Sequence, residues 1–354
     1  MAAFGDFSGK VDAQVFKEDL MNLCGAKRPE VSCGPAFGVD TAIVNLGGGH
    51  ALAVSSDPLS LIPSLGMKVS AWLSVHLLAN DMSTTGFAPQ FAQFVLNLPP
   101  SLSREQFGEY WGHIHSLCEE LGIAITGGHT GQIPGQESTI AGGGTMFLQA
   151  SADQILSSSQ AQVGDVILLT KHAALSSTAL LAMAFPQSVR DAFGTELQEK
   201  ASANFWKLSV LPEALIASGT LKPRQELRAM HDVTEGGVLG ALIEMADASG
   251  LGFRLEPDKV SVPEEVQKVA DLFGIDPLIS VGAGAMLMSV TAGFEEKLIQ
   301  AMAENGVPAT AIGVFTAERK KLLVKANGEI SEAEFDGKDP YWAAFFKAFQ
   351  EGKR

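Results

Sequence analysis

Residues 70–98, SAWLSVHLLANDMSTTGFAPQFAQFVLNL, decide the fold class. Residues 70–84 read as a helix, because Leu73, Leu77 and Leu78 fall on or near one face at helical spacing. Gly86 and Pro89 end it, and residues 91–98 then read as a strand. Upstream, residues 37–46 and 50–55 read as two strands joined by the turn Gly47-Gly48-Gly49, a hairpin that ends at Ser55-Ser56-Asp57-Pro58. Downstream, Ser103 and Gln106 make a capping box for a helix to Leu121 whose apolar face is Phe107, Trp111, Ile114, Cys118 and Leu121. Gly122 stops it, and a short buried strand over residues 123–126 leads into the loop Gly127-Gly128-His129-Thr130-Gly131. A strand over residues 145–149 closes this half.

Residues 151–163 are polar and rich in Ser and Gln, as a linker would be. Beyond them the alternation resumes. Strands are expected at 166–170, 285–290 and 309–314, with helices from about Ala173, from after Gly237 to Ser249, over 294–305 and from Asp339-Pro340. Ser261 and Glu264 form a second capping box with Pro263 in the first turn. A short helix is expected within residues 11–24. The pattern predicts sheets covered by helices in two α/β domains.

Composition narrows the function. The chain has 354 residues, of which 46% are hydrophobic and 18% charged, enough for two domains with cores of their own and too apolar for global disorder. A net charge of −15 disfavours nucleic-acid binding, which needs a basic surface. Cys24, Cys33 and Cys118 are odd in number and lack close His or Cys partners, against both a disulfide framework and a zinc site. Residues 1–12 show no basic stretch followed by an apolar run, and no apolar run reaches the ~18 residues of a membrane span. A cytoplasmic location is the expectation.

Three aspartates stand beside apolar elements: Asp40 in Gly38-Val39-Asp40-Thr41, Asp57 in Ser56-Asp57-Pro58, and Asp81 after Asn80. Carboxylates that converge raise one another's pKa, and a divalent cation removes that repulsion. Mg²⁺ takes oxygen ligands and keeps waters and phosphates in its shell, so these residues are candidate ligands of a Mg²⁺–triphosphate site. The alternative is turn and cap chemistry, in which Asp is common. Backbone N–H groups of the Gly127–Gly131 loop would suit an anion, with His129 as a proton donor to phosphate or a structural histidine. In Asp232-Val233-Thr234-Glu235-Gly236-Gly237, acid and hydroxyl groups meet glycines at a helix start, where free N–H groups favour anions; an ordinary N-cap by Asp232 or Thr234 is the plainer alternative. Weaker signals are His76 and Asn80, four apart on one helical face, and Lys171, which follows a strand and reads either as a phosphate contact or as a surface lysine. The P-loop, Rossmann and nucleophile-elbow motifs are absent.

The ordered set Gly38-Val39-Asp40-Thr41-Ala42, Ser55-Ser56-Asp57-Pro58, Ala79-Asn80-Asp81-Met82-Ser83-Thr84-Thr85-Gly86, Gly127-Gly128-His129-Thr130 and Asp232-Val233-Thr234-Glu235-Gly236-Gly237 spans most of the chain. With Ile275-Asp276-Pro277-Leu278 and Ala311-Ile312-Gly313-Val314 added, it resembles the aminoimidazole ribonucleotide (AIR) synthetase superfamily. The Ile-Asp-Pro-Leu stretch is most similar to its HypE-like hydrogenase maturation branch. The resemblance implies an α/β (α+β) fold of two domains. The N-terminal sheet would pair across a homodimer into a barrel, and helices would cover the C-terminal sheet. Residues 1–34 would be a lead-in, 35–155 the ATP/Mg²⁺ and dimerisation domain, 156–325 the C-terminal domain and 326–354 a helical tail.

It also implies ATP with Mg²⁺ held by Asp40, Asp57 and Asp81. Asn80, Gly127, Gly128 and Thr130 would lie at the nucleotide, and Asp232, Thr234 and His129 at the chemistry. The implied activity is ATP-dependent activation or phosphorylation of an unidentified small molecule or carrier. The alternative is a non-catalytic nucleotide-binding partner in metalloenzyme maturation. Two departures bear on this. His129 stands where many relatives carry an acid. The chain ends Phe349-Gln350-Glu351-Gly352-Lys353-Arg354, with no cysteine after Cys118, which sets it apart from members that modify a cysteine at their own C-terminus.

Overall fold

A computed structural model describes residues 10, 11 and 13–354. Met1–Gly9 and Asp12, part of the stretch read as lacking an export signal, lie outside the described residues.

The first six strands form one sheet. They are β1 (Val31–Cys33), β2 (Ala42–Gly47), β3 (His50–Ser60), β4 (Phe91–Leu98), β5 (Ala124–Gln132) and β6 (Ile140–Ser151), in the order β1-β2-β3-β6-β4-β5. All neighbours are antiparallel except β4 and β5, whose parallel return is made by the helix Arg104–Glu120. The pleat sorts the side chains. On β4, Ala92, Phe94, Leu96 and Leu98 are buried beneath the helices Met67–Ser83 and Arg104–Glu120, while Phe91 and Val95 face outward. Helix Met67–Ser83 is buried on two sides, because its Val69 and Leu73 pack on Leu175, Phe205 and Leu208 of the second half.

The remaining strands build a second sheet. They are β7 (Val166–Thr170), β8 (Leu227–Asp232), β9 (Gly252–Leu255), β10 (Met286–Val290), β11 (Ala309–Thr316), β12 (Lys321–Val324) and β13 (Ile330–Glu332), in the order β13-β12-β9-β11-β7-β10-β8. Only the β12–β9 pair is parallel. Its strands β7 and β10 are buried along nearly their whole length because both faces are covered. Ile167 and Leu169 meet the helix Gly237–Ser249, and Leu168, Met230 and Met288 meet the helices Leu211–Thr220 and Glu295–Glu304. A further helical layer gathers around Val189, Val269, Phe273 and Tyr341 and includes the last helix, Pro340–Gln350.

The mixed α/β class agrees with the sequence expectation, but several local expectations are corrected. The second hairpin strand does not end at Ser55; it runs through Asp57-Pro58 to Ser60, paired with β6. The 127–131 stretch is not a loop but part of β5, paired in register with β4. The 151–163 stretch is not a free linker: Leu156, Ser157 and Ser158 are buried. Ser103 and Gln106 form both capping-box bonds, whereas the Ser261–Glu264 box is absent because Pro263 occupies the N-cap and no side chain caps that helix. Among the described residues near the N-terminus, 13–20 coil, as Ala13–Val15 and a π-turn at Phe16–Leu20. Among the described residues no helix is long and apolar enough to cross a membrane, and the three cysteines are free.

Candidate functional site

Two halves of the chain meet around a cluster of acids. Gly38 takes φ +76° and approaches the helix Gly237–Ser249 so closely that a Cβ on it would lie 2.4 Å from the Glu244 carbonyl oxygen. Ser158 Oγ donates to the Gly38 carbonyl at 2.6 Å. The turn carrying Asp40 is thereby fastened to the second half. Asp57 lies on the same face of β3 as Ser55, and Ser55 Oγ donates to Asp81 Oδ2, in the last turn of helix Met67–Ser83, at 2.7 Å. Asp232 is the final residue of β8.

Its neighbour His231, fully buried, joins the halves. His231 Nδ1 lies 3.4 Å from Asp40 Oδ2 and 2.8 Å from the Asp232 carbonyl oxygen, while Nε2 lies 3.2 Å from Glu244 Oε2. Lys10 completes the cluster. Its backbone N–H donates to Glu235 Oε2 at 2.7 Å, and its ammonium donates to Thr234 Oγ1 at 3.1 Å and lies 3.8 Å from Glu244 Oε2.

Charge crowding is evident in the protonation equilibria. Burial pushes Asp40 and Asp57 up to about 6 and Asp232 to about 7, with Lys10 opposing in each case. Burial, followed by repulsion from Asp232, Asp57 and Asp40, lifts Asp81 well above the carboxylate range. For His231 burial favours the neutral ring, but Asp40 and Glu244 outweigh it and raise the imidazole to about 9. Lys10 is held protonated against burial by Glu244 and Asp40, and Glu244 is held ionised against burial by Lys10 and His231.

The donor set fits a divalent cation. Asp232 is 1% exposed, yet neither of its carboxylate oxygens accepts a hydrogen bond, and Asp40 Oδ2 accepts none. A buried carboxylate oxygen without a donor is costly, and a cation removes the cost. Asp40, His231 and Asp232 each offer a ligand atom, and these lie within 4.8 Å of one another.

Other expected site residues lie elsewhere or are otherwise engaged. Asn80 is fully buried; its amide donates to the Leu208 carbonyl and its oxygen accepts the Val210 N–H, so it ties the halves together. It makes no bond to His76, whose ring instead packs 4.0 Å from Trp72. Gly127, Gly128, His129 and Thr130 lie on the edge strand β5, and among the described residues no hydrogen bond or ion pair joins them to the acids. Gly128 is required by strand packing, since a Cβ there would lie 1.8 Å from the Phe94 carbonyl oxygen.

Neither Asp232 nor Thr234 caps the helix, which begins after Gly236 without a side-chain cap. Nor is its start an open anion cradle. The Gly236 N–H donates to Asp339 Oδ2, Gly237 to the Thr234 carbonyl, and Leu239 to the Leu278 carbonyl. Lys171 is neither a phosphate contact nor a surface lysine, because its ammonium is buried against Glu213. Lys10, His231 and Glu244 escaped the motif reading. Glu244 had a signal, an acid amid Val238, Leu239, Ala241, Leu242 and Met245 on a buried helix. Lys10 had none, since its partner Thr234 is 224 residues away.

Two family models match: the N-terminal domain of AIR synthase related proteins over residues 38–147 and their C-terminal domain over residues 162–325. A hydrogenase expression/formation protein of Methanocaldococcus jannaschii is 26% identical over 255 residues, covering 72% of each chain. A selenide, water dikinase of Myxococcus xanthus is 25% identical over 266 residues, covering 75% of this chain and 71% of its own. A crystal structure of the hydrogenase maturation protein HypE in complex with ATP aligns with a TM-score of 0.66 at 18% identity, covering 94% of this chain and 97% of that one.

Proposed function

The chain belongs to the AIR synthase related family, and we propose that it is an ATP-dependent, Mg²⁺-requiring enzyme that activates or phosphorylates a small molecule or carrier. The observation that carries this reading is the convergence of Asp40, Asp57 and Asp81 from the first half with Asp232 from the second, with Asp40 Oδ2 and both carboxylate oxygens of Asp232 lacking any donor. Phosphoryl transfer depends mainly on positioning and on neutralising phosphate charge. Mg²⁺ at these carboxylates would supply that neutralisation. The chain's own contribution is the Lys10 ammonium beside the Thr234 hydroxyl, a second positive charge within reach of phosphate oxygens. The relatives support the reading, since one was crystallised with ATP and another is a dikinase by name.

The same reading makes the outer face of the first sheet a contact between two copies, closing their sheets into a barrel. Phe91 and Phe147 stack on that face with ring centroids 5.3 Å apart, and Val95, further along the same face of β4, is 43% exposed. A second reading, a nucleotide-binding maturation partner for a metalloenzyme, is favoured by one observation: the His129 segment supplies nothing to the acid cluster. It predicts nucleotide binding without phosphate release.

Calorimetric titration with a non-hydrolysable ATP analogue, with and without Mg²⁺, tests the proposal. Mg²⁺-dependent binding that Asp57→Asn abolishes is expected. A folded protein that binds nothing in either condition overturns both readings, and phosphate release with candidate acceptors separates them.

A further inference from the structure

We propose that Arg224 and Arg228 form a second binding site, for a phosphate-type dianion, either free or as the monoester of a small molecule. The site lies apart from the acid cluster and does not depend on the nucleotide reading.

A cavity of about 290 Å³ opens between residues 159–162 and the two arginines. Arg228 stands near the start of β8, an edge strand of the second sheet, and Arg224 in the turn before it. Asp232 ends the same strand, ~13 Å further along, so the cavity is separate from the acids. The lining holds no carboxylate: beside the arginines it is Ser159, Gln160, Ala161 and Gln162.

The guanidiniums are held by neutral acceptors. Arg228 Nε donates to Thr291 Oγ1 at 3.0 Å, and its Nη1 donates to the Arg224 carbonyl at 2.7 Å, which joins one arginine to the other. Arg224 Nη1 donates to the Ala152 carbonyl at 3.1 Å. Arg224 Nε and Nη2 and Arg228 Nη2 make no hydrogen bond among the described residues. Gln160 Oε1 accepts the Ser157 N–H, which leaves its NH₂ as a further donor.

An ordinary surface arginine would find a carboxylate in a chain with 40 acids against 25 lysines and arginines. Among the described residues this pair has none. Glu226, between them in sequence, accepts the Lys222 N–H, and Asp165 Oδ2 is taken by the Gln162 N–H and the Ser289 hydroxyl. Arg224 also holds φ +62°, a left-handed conformation rare for a residue other than glycine, and its N–H donates to the Leu227 carbonyl at 2.7 Å. Two fixed planar forks with free N–H groups match the geometry of a phosphate, and two positive charges match its double negative charge. The volume is at the small end for ligand sites, which suits phosphate with a small organic group.

The full-length chain, in chelator and low chloride and without nucleotide, is titrated with inorganic phosphate and with phenyl phosphate. Calorimetry gives affinity, and arginine Nε–H resonances of ¹⁵N-labelled protein report the site. Saturable binding is expected, with shifts in two arginine resonances, one absent in Arg224→Gln and the other in Arg228→Gln. Each variant should weaken binding about tenfold. Arg224→Lys keeps the charge without the fork and should recover only part of the loss. Tighter binding of phenyl phosphate marks a phosphomonoester as the ligand, and equal binding marks free phosphate. No saturable binding of either compound, or binding unchanged in Arg224→Gln, overturns the proposal. Arg224 is exposed, so its substitution does not threaten the fold. Metal and nucleotide are absent, so this outcome is independent of the ATP titration with Asp57→Asn.

Discussion

The Ser55 hydroxyl donates to Asp81 Oδ2 over 2.7 Å, so a strand residue aims the carboxylate at the end of the helix packed upon it. This bond opposes the upward push that burial and three neighbouring aspartates exert on Asp81. A hydrogen bond to a charged group contributes ~1.5 kcal/mol or more. Ser55→Ala is therefore expected to weaken Mg²⁺ binding at neutral pH by about tenfold, with the fold retained. Calorimetry checks this, and unchanged affinity would place Asp81 outside the metal site.

Asp40, Asp57 and Asp232, at about 6, 6 and 7, sit above the unfolded value of ~4. The folded chain thus holds protons that the unfolded chain has released. The stability these groups contribute is fully present below pH ~4 and is lost as pH rises through 6 to 7. His231, raised to about 9, keeps its contribution below its ordinary ~6.5 and loses it as pH rises through 9. In chelator the protein should melt at a lower temperature at pH 8 than at pH 5.5, and divalent cation should raise the melting temperature more at pH 8. A cation effect equal at both pH values would contradict the clustering of the acids.

Gly38→Ala places a methyl 2.4 Å from the Glu244 carbonyl oxygen at φ +76°. Both the clash and the left-handed backbone disfavour it, at a cost of ~2 kcal/mol or more. Gly47→Ala, with a similar φ of +82° and open space around it, isolates the backbone contribution. Denaturant melts should show the larger loss for Gly38→Ala, together with weakened metal binding because Asp40 shifts with the turn.

Lys171 follows β7 with φ +54°, and its ammonium pairs with Glu213 and donates to the carbonyls of Lys207, Ser209 and Gly284 at 2.8, 2.7 and 2.9 Å. Burial shifts each partner towards its neutral form, Lys171 down and Glu213 up, and their attraction resists this. Removing one member leaves the other charged and buried. Glu213→Leu should destabilise by about 3 kcal/mol, and adding Lys171→Met should recover part of the loss. Urea melts of the two single variants and the double variant decide this; additive losses would show that the pair does not interact.

Val95→Lys places a charge on the outer face of the first sheet, the face that carries Phe91 and Phe147. If that face joins two copies, light scattering should show a dimer for the unaltered chain and a monomer for the variant. A monomeric unaltered chain would remove the barrel reading.

Much of the first sheet was legible because its signals are local. The helix around Leu73, Leu77 and Leu78 and the Ser103–Gln106 box depend on residues within a turn or two. Legibility failed where a partner lay far along the chain. Asp57-Pro58 reads as a turn, yet β6 extends β3 past it. Gly127-Gly128 reads as a phosphate loop, yet β4 claims it as an edge strand. Asn80 reads as a nucleotide contact, yet Leu208 and Val210 engage both ends of its amide.

The amino-acid order alone determined the mixed α/β class and its family resemblance, and it singled out Asp40, Asp57, Asp81 and Asp232, since short-range periodicity and compact motifs encode these. Only the tertiary structure decided that His231 stands between Asp40 and Glu244 and that Lys10 reaches Thr234. Ionisation and hydrogen bonding depend on distance and burial in space. Two halves folded against each other set those quantities, and no window along the chain contains both halves.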